Sequence, residues 1–148
     1  MPSGSIATGR SMTERCFFDT NVLAYAADRD GGAKQKLARG LIQRHQEERT
    51  LVVSVQVLQE YFEVLTRKFH APLEEARAGV LAFSAYDVVI ADAPLVLAAI
   101  DLHGRLRLSI WDALILKAAE IGGCTTVYSE DLQHGQLIDG VRVQNPFR

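Results

Sequence analysis

The sequence has few of the features that mark disulfide-rich, zinc-binding or membrane proteins. Its 148 residues include two cysteines, Cys16 and Cys124, which lie far apart and show no CxxC spacing, so neither a disulfide framework nor a thiolate zinc site is indicated. No apolar run reaches the roughly eighteen residues of a membrane span, and the first residues lack the apolar core of a signal peptide. We therefore expect two buried thiols in a cytoplasmic protein that does not contact a membrane.

Signature motifs of common enzyme classes are also absent. The chain contains no GxSxG, Walker A or GxGxxG pattern, which leaves serine hydrolase, P-loop and dinucleotide-binding functions without support. The four histidines, at positions 45, 70, 103 and 134, show no HxxxH or other paired spacing. We expect them to be solvated or to form local hydrogen bonds, so acidic residues remain as the candidates for chemistry.

Positive charge is scarce for a protein that binds nucleic acid. The chain has 16 Lys and Arg against 18 Asp and Glu, a net charge of −2, whereas nucleic-acid-binding proteins usually carry a basic surface. If four acids bind a metal ion, removing their charges changes the sum from −2 to +2, and the ion adds positive charge locally. The clusters Arg67-Lys68 with His70, and Arg105 with Arg107, are typical of solvated helix ends, and either can also contact phosphate.

Short apolar runs alternate with helical patterns along the chain. Residues 1–14 are rich in Ser, Gly and Thr and are expected to form a flexible extension, whereas residues 15–148 form a single domain. Strands are predicted near residues 16–18, 51–55, 88–90, 125–128 and 141–143, with helices between them that include 33–48, 56–69, 73–84 and 109–121. This alternation predicts an α/β fold with a mostly parallel sheet of about five strands, flanked by helices.

Four acidic residues are expected at the edge of this sheet where the parallel strands end, which is where ligands bind in such folds. Asp19 ends the first strand, and Asp131 follows the fourth. Glu60 lies about one turn into the helix after the second strand, at the margin of its apolar face. Asp112 is in the first turn of a helix that leads into the fourth strand, so this helix runs antiparallel to that strand and begins at the same edge. Trp111, beside it, is expected in the core.

Each acid also has a local structural explanation. Asp19 is a suitable N-cap, a role worth about 1 kcal/mol, and Asp112 follows Ser109 at the spacing of a capping box. Glu60 alone is typical of a marginal surface residue, and Asp131 alone of a loop acid. The functional interpretation depends on all four meeting at one edge, which independent capping preferences do not require.

The acids lie in four segments: FFDTNVL at residues 17–23, LQEYF at 58–62, IWDALI at 110–115 and SEDLQHG at 129–135. Together and in this order they resemble a PIN domain, most closely the VapC-like toxins of prokaryotic toxin–antitoxin pairs. The resemblance covers essentially residues 15–148 and implies a three-layer sandwich. The matching acid positions are Asp19, Glu60, Asp112 and, at a more variable fourth position, Asp131.

The resemblance implies a ribonuclease that uses Mg²⁺, for which Mn²⁺ can substitute, and that leaves 5′-phosphate and 3′-hydroxyl ends on RNA. Ser129 matches a hydroxyl position near the fourth acid, and Asn21 matches a polar residue that orients the first. A homodimer and a small VapB-like antitoxin that blocks the site are also implied. The residue types agree, because hard divalent cations prefer oxygen ligands and a bound ion can activate water without a catalytic histidine.

Two alternatives belong to other functional classes. An acidic-pocket phosphatase or phosphotransfer domain also places an Asp after the first strand, but the haloacid-dehalogenase pattern requires a second Asp where this chain has Asn21. A non-catalytic interaction module of the same fold would have no evident use for four acids at one edge. Activity on small phosphoesters without action on RNA would favour the phosphatase or phosphotransfer domain. Failure to bind Mn²⁺ would favour the interaction module.

Overall fold

A computed structural model describes residues 14–148, which form six strands and six α-helices. Apart from Glu14, the predicted extension 1–14 lies outside the described residues. The strands are β1 Arg15–Phe18, β2 Leu51–Ser54, β3 Asp87–Val89, β4 Cys124–Tyr128, β5 Leu137–Ile138 and β6 Val141–Gln144. The helices are α1 Thr20–Ala27, α2 Gly32–Glu47, α3 Val55–Glu63, α4 Leu73–Ser84, α5 Ala93–Leu106 and α6 Ile110–Ile121, with a π-helical turn at Val64–Lys68 after α3.

All six strands belong to one sheet in the order β3-β2-β1-β4-β6-β5, and only the β5–β6 pair is antiparallel. The mostly parallel α/β sheet is therefore confirmed, with one strand more than the five expected. The additional strand is the two-residue β5, which joins β6 through Asp139 and Gly140. Both turn residues have positive φ, 48° and 84°, as an Asp-Gly hairpin turn requires.

The strand order determines which helices cover each face. The chain moves from β1 to β2 to β3 in one direction and then returns past β1 to β4. Because crossovers between parallel strands are right-handed, α1 to α4 lie on one face and α5 and α6 on the other. The result is the expected three-layer sandwich. Strands covered on both sides are apolar throughout, and Phe17, Phe18, Val52, Val53 and Val127 are accordingly fully buried.

The two cysteines lie inside the sheet. Cys16 in β1 and Cys124 in β4 are free and buried, as expected from the sequence. Burial raises the pKa of Cys16 to about 11 and that of Cys124 to about 12, so both thiols stay protonated at neutral pH and are poor nucleophiles. Within residues 14–148, no helix has the length and apolar character needed to cross a bilayer.

The helix expected over residues 56–69 changes its hydrogen-bond pattern halfway. It is α-helical to Glu63 and π-helical from Val64 to Lys68, and the backbone N–H of Phe69 donates to the carbonyl of Val64 at 3.1 Å. The hydroxyl of Thr66 donates to the carbonyl of Phe62 at 2.9 Å, close to the start of the π-helical turn. Such turns are frequent at functional sites, and this one changes the direction in which the following side chains project.

Close packing where α6 ends predicts a stability difference between two glycine substitutions. A Cβ on Gly122 would lie 3.1 Å from Cγ2 of Val89 and 3.2 Å from Cγ1 of Val52, both stiff β-branched side chains. We expect Gly122→Ala to lower the free energy of unfolding by about 1–2 kcal/mol, measured by urea denaturation. The control is Gly40→Ala in α2, where a Cβ meets nothing within 4 Å, and a gain of about 0.5–1 kcal/mol is expected. Equal effects would contradict this packing.

Candidate functional site

A cleft of about 730 Å³ opens at the carboxyl edge of the sheet. It lies beside β1 and β4, where the strand order reverses and where ligands bind in open α/β sheets. All four acids predicted from the sequence line it, namely Asp19, Glu60, Asp112 and Asp131. The topology therefore brings together side chains from four separate segments, and the local cap roles of Asp19 and Asp112 coexist with this convergence.

Asp19 is the most buried of the four, with 6% of its surface exposed. It directly follows β1, whose last residue is in register with Tyr128 of the parallel β4. Its Oδ1 accepts a hydrogen bond of 2.7 Å from the backbone N–H of Thr20 as the N-cap of α1, and its Oδ2 accepts one of 2.8 Å from the hydroxyl of Ser129. Both carboxylate oxygens thus receive donors that hold the side chain in place.

Burial nevertheless makes the charge on Asp19 costly. Desolvation raises the pKa of Asp19 from 3.8 to about 6, against the lowering effect of the hydrogen bonds from Ser129 and Thr20. The neighbouring carboxylates of Glu60 and Asp131 raise the pKa further. An acid that is buried among other acids gains most from a cation that neutralises it.

Ser129 connects the loop after β4 to Asp19. Its side chain is fully buried, and its oxygen accepts from the backbone N–H groups of Asp131 at 3.1 Å and Leu132 at 3.4 Å. A hydroxyl has a single proton, which Ser129 donates to Asp19. The supporting position predicted for Ser129 therefore has a direct geometric basis.

Asn21 bridges the same loop from the other side. Its amide nitrogen donates to Oδ2 of Asp131 at 3.2 Å and to Oδ2 of Asp19 at 3.4 Å, and its Oδ1 accepts from the backbone N–H of Glu130 at 3.0 Å. Asn21 on α1 thus contacts two of the four acids and also holds the backbone at Glu130, the residue before Asp131. Asn21 is therefore close enough to orient both carboxylates, and its orienting role stays a prediction.

Glu60 is held by two residues that the sequence analysis did not single out. The hydroxyl of Thr20 donates to its Oε1 at 2.7 Å, and the side-chain amide of Gln56 donates to its Oε2 at 3.2 Å. Gln56 precedes Glu60 by one helical turn, and this i,i+4 spacing was a readable signal. Thr20 thus contacts two of the acids, Asp19 through its backbone N–H and Glu60 through its hydroxyl.

Asp112 occupies the first turn of α6, and its backbone N–H donates to the hydroxyl of Ser109 at 3.0 Å. Its side chain is half-buried. Desolvation raises the pKa of Asp112, opposed by the hydrogen bond with Ser109, and the charges of Asp131 and Glu60 raise it as well. Asp112 thus interacts electrostatically with two of the other acids.

The prediction that Trp111 lies in the core is wrong, because 62% of its surface is exposed and it lines the cleft. Its helical phase matches that of buried residues such as Ile115 and Ala118. However, the first turn of α6 lies at the carboxyl edge of the sheet, where Trp111 and Asp112 border the cleft. The spacing of apolar residues correctly predicts the face of α6 on which Trp111 lies, but it does not show that Trp111 is near the exposed end of the helix.

Glu130 also lines the cleft, but it is already neutralised. Its carboxylate accepts a 2.8 Å hydrogen bond from the hydroxyl of Tyr25 and forms an ion pair with Lys34. Burial alone would raise the pKa of Glu130, but the hydrogen bonds from Lys34 and Tyr25 prevail and lower it. The ammonium of Lys34 lies 4.8 Å from the ring centre of Tyr25 and 5.5 Å from that of Phe147. Among residues 14–148, Glu130 has a cationic partner and its neighbour Asp131 forms no salt bridge.

The donor set fits a hard divalent cation that keeps much of its water. Within residues 14–148, no three His, Cys, Asp or Glu side chains lie close enough to hold an ion by themselves. Mg²⁺ usually binds one or two carboxylates and retains several waters, and the cleft offers only oxygen ligands from its acids. Burial, together with neighbouring carboxylates, raises the pKa of Asp19 and Asp112, and a bound cation would favour their ionised forms.

The model of the PIN domain matches residues 16–137, a range that includes all four acids. None of the curated proteins in the comparison matches the chain.

The chain is also similar to solved structures. Mycobacterium tuberculosis VapC20, described as a sarcin-ricin loop cleaving toxin, is 21% identical with a TM-score of 0.63, covering 78% of this chain and 89% of the other. A toxin–antitoxin complex from Klebsiella pneumoniae is 20% identical with a TM-score of 0.65, covering 88% of this chain and 97% of the other. At this level of identity the likeness establishes the fold.

Proposed function

The chain belongs to the PIN-domain family, and on that premise we propose that it is a metal-dependent endoribonuclease that hydrolyses phosphodiester bonds of RNA. The observation that carries this proposal is the meeting of four acids from separate segments in one cleft at the carboxyl edge of the sheet. An acidic cleft alone would repel a polyanion, whereas an acidic cleft that holds a divalent cation attracts its phosphates.

We assign Mg²⁺, with Mn²⁺ as a substitute, as the ion that this cleft holds. Asp19 and Asp112 are the principal ligands in this proposal, with Glu60 and Asp131 completing the set directly or through water. When bound, the ion polarises the scissile phosphate and lowers the pKa of a coordinated water. The residues of the chain provide orientation, because Ser129 fixes Asp19 and other polar side chains fix the remaining acids.

The similar structures support a more specific role. One is described as a toxin that cleaves the sarcin-ricin loop, and the other is a toxin–antitoxin complex. We infer that this chain is likewise the toxin of a type II pair, that a small VapB-like antitoxin is its partner, and that it acts on RNA in the cytoplasm. For the proposed homodimer, the support is the apolar surface near α5, where Ile90, Leu97 and Ile100 are exposed.

The proposed function predicts that metal removal abolishes RNA cleavage. Purified protein is incubated with total RNA in Mg²⁺ or in excess EDTA, and the products are separated on denaturing gels. We expect discrete fragments with 5′-phosphate ends in Mg²⁺ or Mn²⁺ and intact RNA in EDTA, because the carboxylates cannot activate water without the ion.

Two results would contradict this proposal in different ways. Release of phosphate from small phosphoesters, with RNA left intact, would indicate a phosphatase. No Mn²⁺ binding in a calorimetric titration, together with no turnover of either substrate, would indicate an interaction module. Restoring Mg²⁺ after EDTA is the control that separates loss of the ion from loss of the fold.

A further inference from the structure

The charged side chains that line the cleft are almost all acidic. Seven of its lining residues carry carboxylates, whereas Lys68 is the one Lys or Arg among them. Divalent cations can offset the charge at the scissile phosphate, but an RNA strand brings a further phosphate with every nucleotide. Those flanking phosphates need positive groups outside the metal site, and Lys68 is the one Lys or Arg that lines the cleft.

The π-helical turn places Lys68 at this wall. Lys68 is the last residue of the turn Val64–Lys68, and the wider hydrogen-bonded ring of a π-helix rotates the following side chains relative to a continuous α-helix. Lys68 and Phe69 both line the cleft, while their neighbour Arg67 lines neither this cleft nor the adjoining cavity. The irregular turn thus selects which of two adjacent basic residues faces the site.

Lys68 is also available for a ligand. In the part of the chain that the structure describes, it forms no salt bridge, and its ammonium lies 6.0 Å from the ring centre of Phe69. Arg67 is instead paired with Glu63 at 2.8 Å across one helical turn. Arg67 is therefore already paired with an acid of its own helix, whereas the adjacent Lys68 has no such salt bridge among the described residues.

A second cavity of about 680 Å³ adjoins the first and shares with it Asp28, Lys68 and Phe69. Its lining carries three Lys or Arg and three Asp or Glu, so it is far less acidic than the carboxylate cleft. Arg29, which also lines this cavity, is highly exposed and forms a long ion-pair contact of 3.6 Å with Glu75. A polyanion that passes from the cleft into this cavity therefore leaves a strongly acidic lining for one in which cations and acids are balanced.

We propose that Lys68 binds an RNA phosphate that flanks the scissile bond and directs the strand across Phe69 into the second cavity, where Arg29 contacts a more distant phosphate. The ligand is single-stranded RNA, because a cleft that is lined by side chains at the end of a sheet accepts an extended strand and one aromatic neighbour provides an apolar surface for a base. This inference rests on the proposed function and adds to it the path of the substrate.

The test uses Lys68→Gln and the matched control Arg67→Gln, which removes the same charge from the adjacent position. Each is combined with Asp112→Asn, so that binding of fluorescein-labelled single-stranded RNA can be measured by anisotropy without cleavage. We expect Lys68→Gln to weaken binding roughly five- to tenfold and to reduce the slope of log K against log salt by about 0.7. Arg67→Gln is expected to leave both unchanged.

The cleavage kinetics and a second variant test the path itself. With Asp112 intact, Lys68→Gln is expected to raise KM with little change in kcat, since a flanking phosphate contact contributes to binding rather than to the chemical step. Arg29→Gln is expected to weaken binding of a ten-nucleotide RNA but not of a dinucleotide, whose single phosphodiester cannot contact Lys68 and Arg29 at once.

The outcomes separate this inference from the proposed function. If the unmodified protein cleaves RNA and Lys68→Gln behaves like Arg67→Gln, the path is wrong and the nuclease proposal stands. If Arg29→Gln affects long and short RNA equally, the strand does not enter the second cavity. If the unmodified protein neither cleaves RNA in Mg²⁺ nor binds it, both proposals fail together. Unchanged thermal unfolding of each variant confirms that the comparison is between folded proteins.

Discussion

Replacing Asp112 by asparagine is expected to reduce RNA cleavage by about three orders of magnitude while the protein stays folded. The metal ion contributes several kcal/mol to stabilising the transition state, and each 1.36 kcal/mol corresponds to tenfold in rate. The substitution removes one charge from the ion's surroundings at nearly constant volume. The backbone N–H of residue 112 still donates to Ser109, so the start of α6 is preserved. The rate is measured on a defined RNA in saturating Mg²⁺.

The matched control for this variant is Glu63→Gln, which is equally isosteric and lies on the same cleft. Glu63 is exposed and pairs with Arg67, and exposed pairs of this kind contribute at most about 1 kcal/mol to stability. We expect cleavage within about threefold of the unmodified protein for this control. RNA cleavage by Asp112→Asn at the unmodified rate in Mg²⁺ would remove Asp112 from the proposed site.

The fold could be predicted from the sequence where burial dominates. Parallel strands covered on both faces are continuous apolar runs, which is why β1, β2 and β4 were placed within about a residue. The two-residue β5 is too short to show a period, although the Asp139-Gly140 turn beside it is a recognisable hairpin signal. The π-helical turn could not be predicted, because its hydrogen-bond shift leaves no mark on the spacing of apolar residues.

The acids could be predicted because topology, rather than contact, brings them together. Once β1 and β4 are parallel and in register, Asp19 and the loop that carries Asp131 must share an edge. The antiparallel direction of α6 then adds Asp112 at the same end. The directions of the strands and of α6 follow from the order of elements in the sequence, so the positions of the acids could be predicted without knowing any side-chain contact.

The side chains that hold these acids could not be predicted in the same way. Lys34 and Glu130 are 96 positions apart in sequence, and nothing in the local pattern shows that Lys34 neutralises Glu130 rather than Asp131. The choice depends on where α2 lies relative to the loop after β4. The contact of Thr20 with Glu60 could not be predicted either, because the packing of α1 against α3 brings the two side chains together.

The buried charge of Asp19 predicts a pH-dependent stability that a bound metal removes. A rise in the pKa of Asp19 from 3.8 in the unfolded chain to about 6 in the folded protein means that the folded state holds a proton more strongly. Stability contributed by this group is therefore present at low pH and is lost as the pH rises from about 4 to about 6. The full cost of the ionised form is about 3 kcal/mol.

We predict that the difference in the free energy of unfolding between the unmodified protein and Asp19→Asn changes with pH. It is measured by urea unfolding in EDTA. Asparagine is also a good N-cap, and its amide does not titrate in this range. Between pH 4.5 and 7.5 we expect the free energy of unfolding to shift by about 2 kcal/mol in favour of the variant. His45, whose pKa is lowered by burial, is present in both proteins, so its contribution to the difference cancels.

Mn²⁺ should reverse this trend, because a ligand that binds only the folded state stabilises it by RT ln(1 + [L]/Kd). At pH 7.5 the ion is expected to raise the stability of the unmodified protein and to leave Asp19→Asn nearly unchanged. At pH 4.5 protons occupy Asp19 and Mn²⁺ should have little effect on either protein. A pH-independent difference in EDTA would mean that Asp19 is not desolvated in the folded protein, and equal stabilisation of both proteins by Mn²⁺ at pH 7.5 would mean that Asp19 is not a principal ligand.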